Sequence, residues 1–174
     1  MYKFIFQIGQ KLRNPSLNKQ LEFLKQSESW SIERLETYQL SKLKEVLELA
    51  KNNSLFYNEL YKNIDIHKIE KLSDLKKLPI VTKQDLIKFN KEVHTNLSFK
   101  KIFQANTSGT SGESLKFKRE EPADSFNRAS IFRGYLWYGV QPWEKNGYFW
   151  GFNFSKINSV KTKVLDILQN RFRI

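Results

Sequence analysis

Apolar residues recur at helical spacing through the first third of the chain and alternate at strand spacing only later. Ile32, Leu35, Leu43, Val46, Leu47 and Ala50 fall mostly at three- and four-residue steps, with Lys and Glu between them. That pattern predicts one amphipathic helix, capped by Ser31 and ending near Asn52-Asn53. A short helix is expected over Leu55 to Tyr61. Ser73 then caps a one-turn helix that must stop at Leu78, because the residue before Pro79 is pushed out of helical geometry. Thr82 with Asp85 has the form of a capping box and opens a further short helix to about Asn90. Two capped turns joined by Pro79-Ile80-Val81 make an ordered connector rather than a linker.

The pattern changes at Lys101. Lys101 to Asn106 reads as a strand, Thr107 to Ser114 as a loop of small residues, and Leu115 to Arg119 as a second strand of alternating apolar and basic positions. Pro122 suits the first turn of a helix, and Gly139 is a natural stop for it. Phe126, Ala129, Phe132, Arg133, Leu136 and Trp137 give that helix one large aromatic face. A third strand over Gly147 to Phe152 and a helix over Ile157 to Leu168 complete the reading. Strands alternating with helices predict an α/β fold. Residues 1–100 form a helical N-terminal region with the ordered connector, and residues 101–174 a partial, helix-flanked β-sheet subdomain that is incomplete, since three strands leave such a sheet short of partners.

Composition narrows the chemistry. The 174 residues include no cysteine, which excludes disulfide scaffolds, Cys-based metal sites and Cys nucleophiles. No apolar run is long enough to span a bilayer, and Met1 to Ile8 makes a poor signal peptide, so a cytoplasmic chain is expected and Asn52 and Asn106 carry no weight as glycosylation signals. The formal charge of +12 suggests a polyanion partner, but the lysines are scattered through helical stretches and no nucleic-acid motif occurs. A solvated surface with no nucleic-acid partner is the better reading. His67 and His94 have no partner at metal-ligand spacing, so surface or capping roles are expected and no metal site is assigned. Trp137, Tyr138, Trp143 and Trp150 are expected to pack in a core rather than line a substrate pocket.

The informative element is Thr107-Ser108-Gly109-Thr110-Ser111-Gly112-Glu113-Ser114. Gly109 and Gly112 open backbone angles closed to other residues, and the hydroxyls of Ser108, Thr110 and Ser111 add donors. Such a concave set of N–H and O–H groups suits phosphate oxygens. Neither the Walker pattern nor the dinucleotide Gly-x-Gly-x-x-Gly is present. On composition alone, a phosphate cradle and a plain Ser/Gly hairpin turn remain equally open.

Thr107 to Gly112 resembles the Ser/Thr-Ser-Gly-Ser/Thr-Thr-Gly loop of adenylate-forming enzymes, with Ser111 in place of the usual Thr and Ser114 in place of the usual Pro. Leu78-Pro79-Ile80-Val81-Thr82-Lys83-Gln84-Asp85-Leu86 resembles a segment of the phenylacetate-CoA ligase branch, which includes proteins assigned to capsular polysaccharide biosynthesis. The resemblance implies the N-terminal part of an ATP-dependent acyl- or aryl-CoA ligase. Its reactants would be ATP with Mg²⁺, a carboxylic acid and coenzyme A, and its first products an acyl adenylate and pyrophosphate. It also implies that Thr107, Ser108, Gly109, Thr110, Ser111 and Gly112 bind phosphate. The family's adenine motif, ribose-binding acid and catalytic lysine match nothing in these residues, so the catalytic residues stay unassigned. The expectation is a fragment, split-gene half or truncation that is inactive alone and is completed by the missing C-terminal part of the enzyme. The alternative is a non-catalytic nucleotide-binding module, or a basic module for a polyanion or partner, linked to surface polysaccharide synthesis.

Overall fold

A computed structural model describes residues 1–107, 113–149 and 156–173, and of residues 148, 156–161 and 173 the backbone alone. The chain is a mixed α/β protein dominated by helix, and it divides into two compact units, Met1–Lys25 with Glu121–Ile174 and Gln26–Glu120. Among the described residues no helix is long and apolar enough to cross a membrane.

In the Gln26–Glu120 unit the expected long helix is present as α3, Ile32–Asn53, with Ser31 Oγ accepting the Arg34 N–H. The core lies on one side of it. Leu47 is buried with Tyr61, Ile66 and Ile69, and Leu40, Leu43, Ala50 and Leu78 pack around them. Ile32 and Val46, expected on the same apolar face, are exposed. Val46 lies off the stripe that Leu40, Leu43, Leu47 and Ala50 present to this core, whereas Ile32 is in line with Ala50 but sits in the first turn of α3, before the packed positions begin at Leu40. Ser54 is buried and acts three ways. It ends α3, caps α4 (Leu55–Leu60) by accepting the Tyr57 N–H, and donates its hydroxyl to Glu92 O at 2.9 Å.

The connector carries two short helical turns. A 3-10 turn spans Leu72–Lys77, but Asp74 rather than Ser73 secures its start. The Asp74 carboxylate accepts the N–H groups of Glu70 and Lys71 at 3.0 and 3.2 Å. A carboxylate reaches back over two amides where a short hydroxyl reaches one. The Lys77 side chain and these amides hold the Asp74 carboxyl at about 2. Helix α5, Lys83–Lys88, opens with the predicted reciprocal box: Asp85 N–H donates to Thr82 Oγ1 at 3.2 Å, and Thr82 N–H to Asp85 Oδ2 at 2.9 Å. One further turn, α6, spans Asn90–Val93.

Four short strands form among the described residues, and they pair in two separate sheets rather than one. β1 (Ile102–Asn106) and β2 (Lys116–Glu120) make an antiparallel hairpin with Ile102 opposite Glu120 and Asn106 opposite Lys116. β3 (Asn146–Tyr148) and β4 (Arg171–Arg173) pair in parallel, and α8 (Lys156–Leu168) belongs to the connection between them. Parallel neighbours require a long crossover, which a helix supplies. β3 ends at Tyr148, short of the expected Phe152, and residues 150–152 lie outside the described residues.

The Met1–Lys25 and Glu121–Ile174 unit holds α1 (Tyr2–Arg13), the start of α2 (Leu17–Ser27), α7 (Glu121–Trp137), β3, α8 and β4. Pro122 sits in the first turn of α7, and Gly139 follows that helix at φ 71°. A buried polar network ties α7 to the corner after α1. Asp124, 2% exposed, accepts from Arg13 at 2.7 Å, Asn14 at 2.9 Å and Arg128 at 3.0 Å. Glu121 accepts the N–H and hydroxyl of Ser16, both at 3.1 Å. Burial pushes the Asp124 carboxyl up, but the hydrogen bonds from Asn14, Arg13 and Arg128 outweigh it and hold the group at about 2.

The aromatic residues do not gather as expected. Phe126 meets Phe23, and Phe132 meets Phe6, but Trp137 and Tyr138 are 62% and 86% exposed. They sit at the last turn of α7 and just after it, beyond Ala129, the last buried residue of that helix. Trp143 packs on Phe6 at a ring separation of 5.9 Å, and Trp150 lies outside the described residues.

Candidate functional site

The hairpin supports the Ser/Thr/Gly loop. Its alternation puts Phe103, Ala105, Phe117 and Arg119 half-buried on one face and leaves the other face exposed. Strand periodicity and the register together place Gln104 opposite Lys118 and Asn106 opposite Lys116 on that exposed face. Two cations and two amides therefore stand side by side where the strands run into the loop. Among the described residues neither lysine has a carboxylate within ion-pair distance. An unpaired ammonium at the rim of a loop is available to an anion.

Thr107 closes the neck of the loop. Its N–H donates to Leu115 O at 3.0 Å, and its Oγ1 accepts the Leu115 N–H at 3.1 Å. Ser114 Oγ donates to Thr107 O at 2.6 Å. Three hydrogen bonds at one residue fix both ends of the intervening segment. Ser108, Gly109, Thr110, Ser111 and Gly112 lie outside the described residues. Glu113, at the loop exit, is exposed and brings a negative charge towards the same end of the hairpin as Lys116.

The outer edge of β2 is held by α6 and the residue that follows it. Asn90 Nδ2 donates to Lys116 O at 2.7 Å, and His94 Nε2 accepts the Lys118 N–H at 3.3 Å. His94 Nδ1 lies 2.5 Å from Asn90 O. Asn90 O only accepts and the Lys118 amide only donates, so these hydrogen bonds select the tautomer with its proton on Nδ1. The pair stands four residues apart, one helical turn, and spans β2 residues two apart, one strand repeat. A pocket of about 480 Å³ is lined by Asn90, His94, Gln104, Asn106, Lys116 and Lys118, among others. Position α6 in turn depends on Ser54, whose hydroxyl holds Glu92 O, and on Asn96 N–H, which donates to Asn53 O at 2.9 Å. The connector thus links the α3–α4 corner to the strand that leaves the loop.

Sequence reasoning gave His94 a surface or capping role, and the structure makes it the cap of a strand edge. Asn90 escaped it altogether. The one local signal was their four-residue spacing, because the strand they hold lies more than twenty residues away. His67 is exposed and within 3.9 Å of Glu48, a contact of little consequence at the surface. Among the described residues no group of three His, Cys, Asp or Glu side chains is placed to hold a metal ion. Compared with known families and with curated proteins, the chain matches no family model and no curated sequence.

Proposed function

We propose that this chain carries the phosphate-binding loop of an ATP-dependent, adenylate-forming acyl- or aryl-CoA ligase. The observation that supports the reading most is the hairpin neck: Thr107, Leu115 and Ser114 tie the two ends of a Ser/Thr/Gly segment together beside Lys116 and Lys118. The resemblance of Thr107 to Gly112 and of Leu78 to Leu86 to the phenylacetate-CoA ligase branch supplies the reaction class.

In this reading residues 107–112 receive the β- and γ-phosphates of ATP through backbone amides and hydroxyls. Lys116 and Lys118 offset the charge of Glu113 and of the nucleotide, and donors aimed at the departing pyrophosphate would stabilise it. Mg²⁺ bound with the nucleotide would supply positive charge that offsets the phosphates. The fold in this reading is the N-terminal part of an adenylate-forming domain, with a carboxylic acid and coenzyme A as the other reactants.

Titration calorimetry of the 174-residue chain with Mg-ATP tests the reading. Binding is expected, and the paired substitution Gly109→Val with Gly112→Val should abolish it while the melting transition persists. ATP–pyrophosphate exchange is expected to be absent from the chain alone. Equal affinity for ATP in the paired variant, or equal affinity of the wild-type chain for any polyanion, would replace the ligase reading with that of a basic binding module.

A further inference from the structure

Helix α1 turns an apolar stripe away from the unit that holds it. Phe4, Ile8 and Leu12 recur at four-residue steps and so share one line of the helix. They are 68%, 45% and 74% exposed. The opposite side does the anchoring. Phe6 packs on Phe132 at 5.6 Å, and Arg13 pairs with the buried Asp124. An amphipathic helix on a globular protein normally presents its apolar stripe to the core, and α1 does the reverse.

Helix α8 touches α1 and repeats the feature. Its Val164 and Ile167 are exposed, next to the exposed Lys163. The charges on the two helices have one sign outward. On α1, which contains no acid, Lys3 stacks over Trp143 and Arg13 pairs with Asp124, which leaves Lys11 as the exposed cation, and the one acid of α8, Asp166, is buried. Exposed apolar side chains interspersed with cations, with no exposed carboxylate on either helix, complement a surface that is apolar beneath and anionic on top. That is the chemistry of an anionic lipid leaflet. A stripe of this length lies in the interface and does not span it.

We propose that α1, with α8 beside it, docks this unit on an anionic membrane surface. Phe4, Ile8 and Leu12 enter the headgroup–acyl boundary, and Lys11 and Lys163 meet lipid phosphates. Each contribution is small, so binding requires both terms and weakens with salt. The inference does not depend on nucleotide binding.

Flotation of the 174-residue chain with vesicles tests it. The chain is expected to float with vesicles of phosphatidylcholine containing phosphatidylglycerol and to stay behind with phosphatidylcholine alone. Two variants should each lower the bound fraction about tenfold: Phe4→Ser with Ile8→Ser, and Lys11→Glu with Lys163→Glu. The second changes only exposed lysines, so it serves even where the first disturbs folding, which a thermal melt reports. Failure to float with phosphatidylglycerol vesicles overturns the proposal. So does equal flotation of the Phe4→Ser, Ile8→Ser variant, which would mean charge alone. A dimer in sedimentation velocity that this variant dissociates and vesicles fail to displace would assign the stripe to a second copy instead.

Discussion

His94 holds the outer edge of β2 by accepting the Lys118 N–H at Nε2, 3.3 Å away, while its other ring nitrogen faces Asn90 O. The strand that leaves the Ser/Thr/Gly loop is therefore fixed by a side chain from the connector. Replacing His94 with Ala is expected to speed hydrogen exchange at the Lys118 amide and to cost about 1 kcal/mol. Nitrogen-15 shifts of the imidazole should report a protonated Nδ1 and a bare Nε2. Slow exchange at Lys118 in the Ala variant would show that the edge is held by something else.

Thr107 makes its two bonds to Leu115 with different groups, and only one survives loss of the hydroxyl. Thr107→Val keeps the shape and leaves the Leu115 N–H without its acceptor, a loss of about 1 kcal/mol. Thr107→Ser keeps the oxygen and is expected to melt within a degree or two of wild type. If the loop binds ATP, the Val variant should also bind it more weakly than the Ser variant, which calorimetry separates from the change in stability.

Asp124 is an acceptor shared by the Arg13, Asn14 and Arg128 side chains. Asp124→Asn removes the charge that two guanidiniums share and should lower stability by about 2 kcal/mol at neutral pH. Its carboxyl is held below the ordinary value of 3.8, at about 2. The stabilisation is complete above the ordinary value and is lost as pH falls through the folded one. Acid titration of the melting temperature should thus fall less steeply between those two values in Asp124→Asn than in wild type. Asp74, also held at about 2, keeps its own contribution in the variant.

A side chain at Gly147 would meet two partly exposed aromatic rings, which must swing aside to admit it. A Cβ there would lie 2.9 Å from the Phe172 ring and 3.0 Å from that of Phe149. Gly147→Val is expected to displace the Phe172 ring and to destabilise the β3–β4 pair by no more than about 1 kcal/mol. Adding Phe172→Leu should recover part of the loss, a coupling that a double-mutant cycle measures. Additive effects would mean that the two positions do not meet.

Signals confined to a few residues were legible in the sequence. The Ser31 cap and the Thr82–Asp85 box link positions three apart, and the hairpin shows itself as two polar-apolar alternations around a run of small residues. What was not legible joins distant positions. Asn14 and Asp124 are 110 residues apart, and neither flanks a pattern that names the other. β4 is three residues long, too short to alternate visibly. The direction in which an amphipathic helix faces was equally hidden, because periodicity reports a stripe without saying whether protein covers it. Val46 on α3 turned outward for that reason, and Ile32 is exposed because no packed element reaches the first turn of that helix. For the loop, the sequence supplied the chemistry and the structure its frame at Thr107 and Leu115.

The contacts of Asn90 and His94 on alternate residues of β2 occupy the backbone groups that an adjoining strand would need there. Any extension of this hairpin into a wider sheet, by another part of a longer polypeptide or by a separate chain, must therefore grow from the Ile102–Asn106 side.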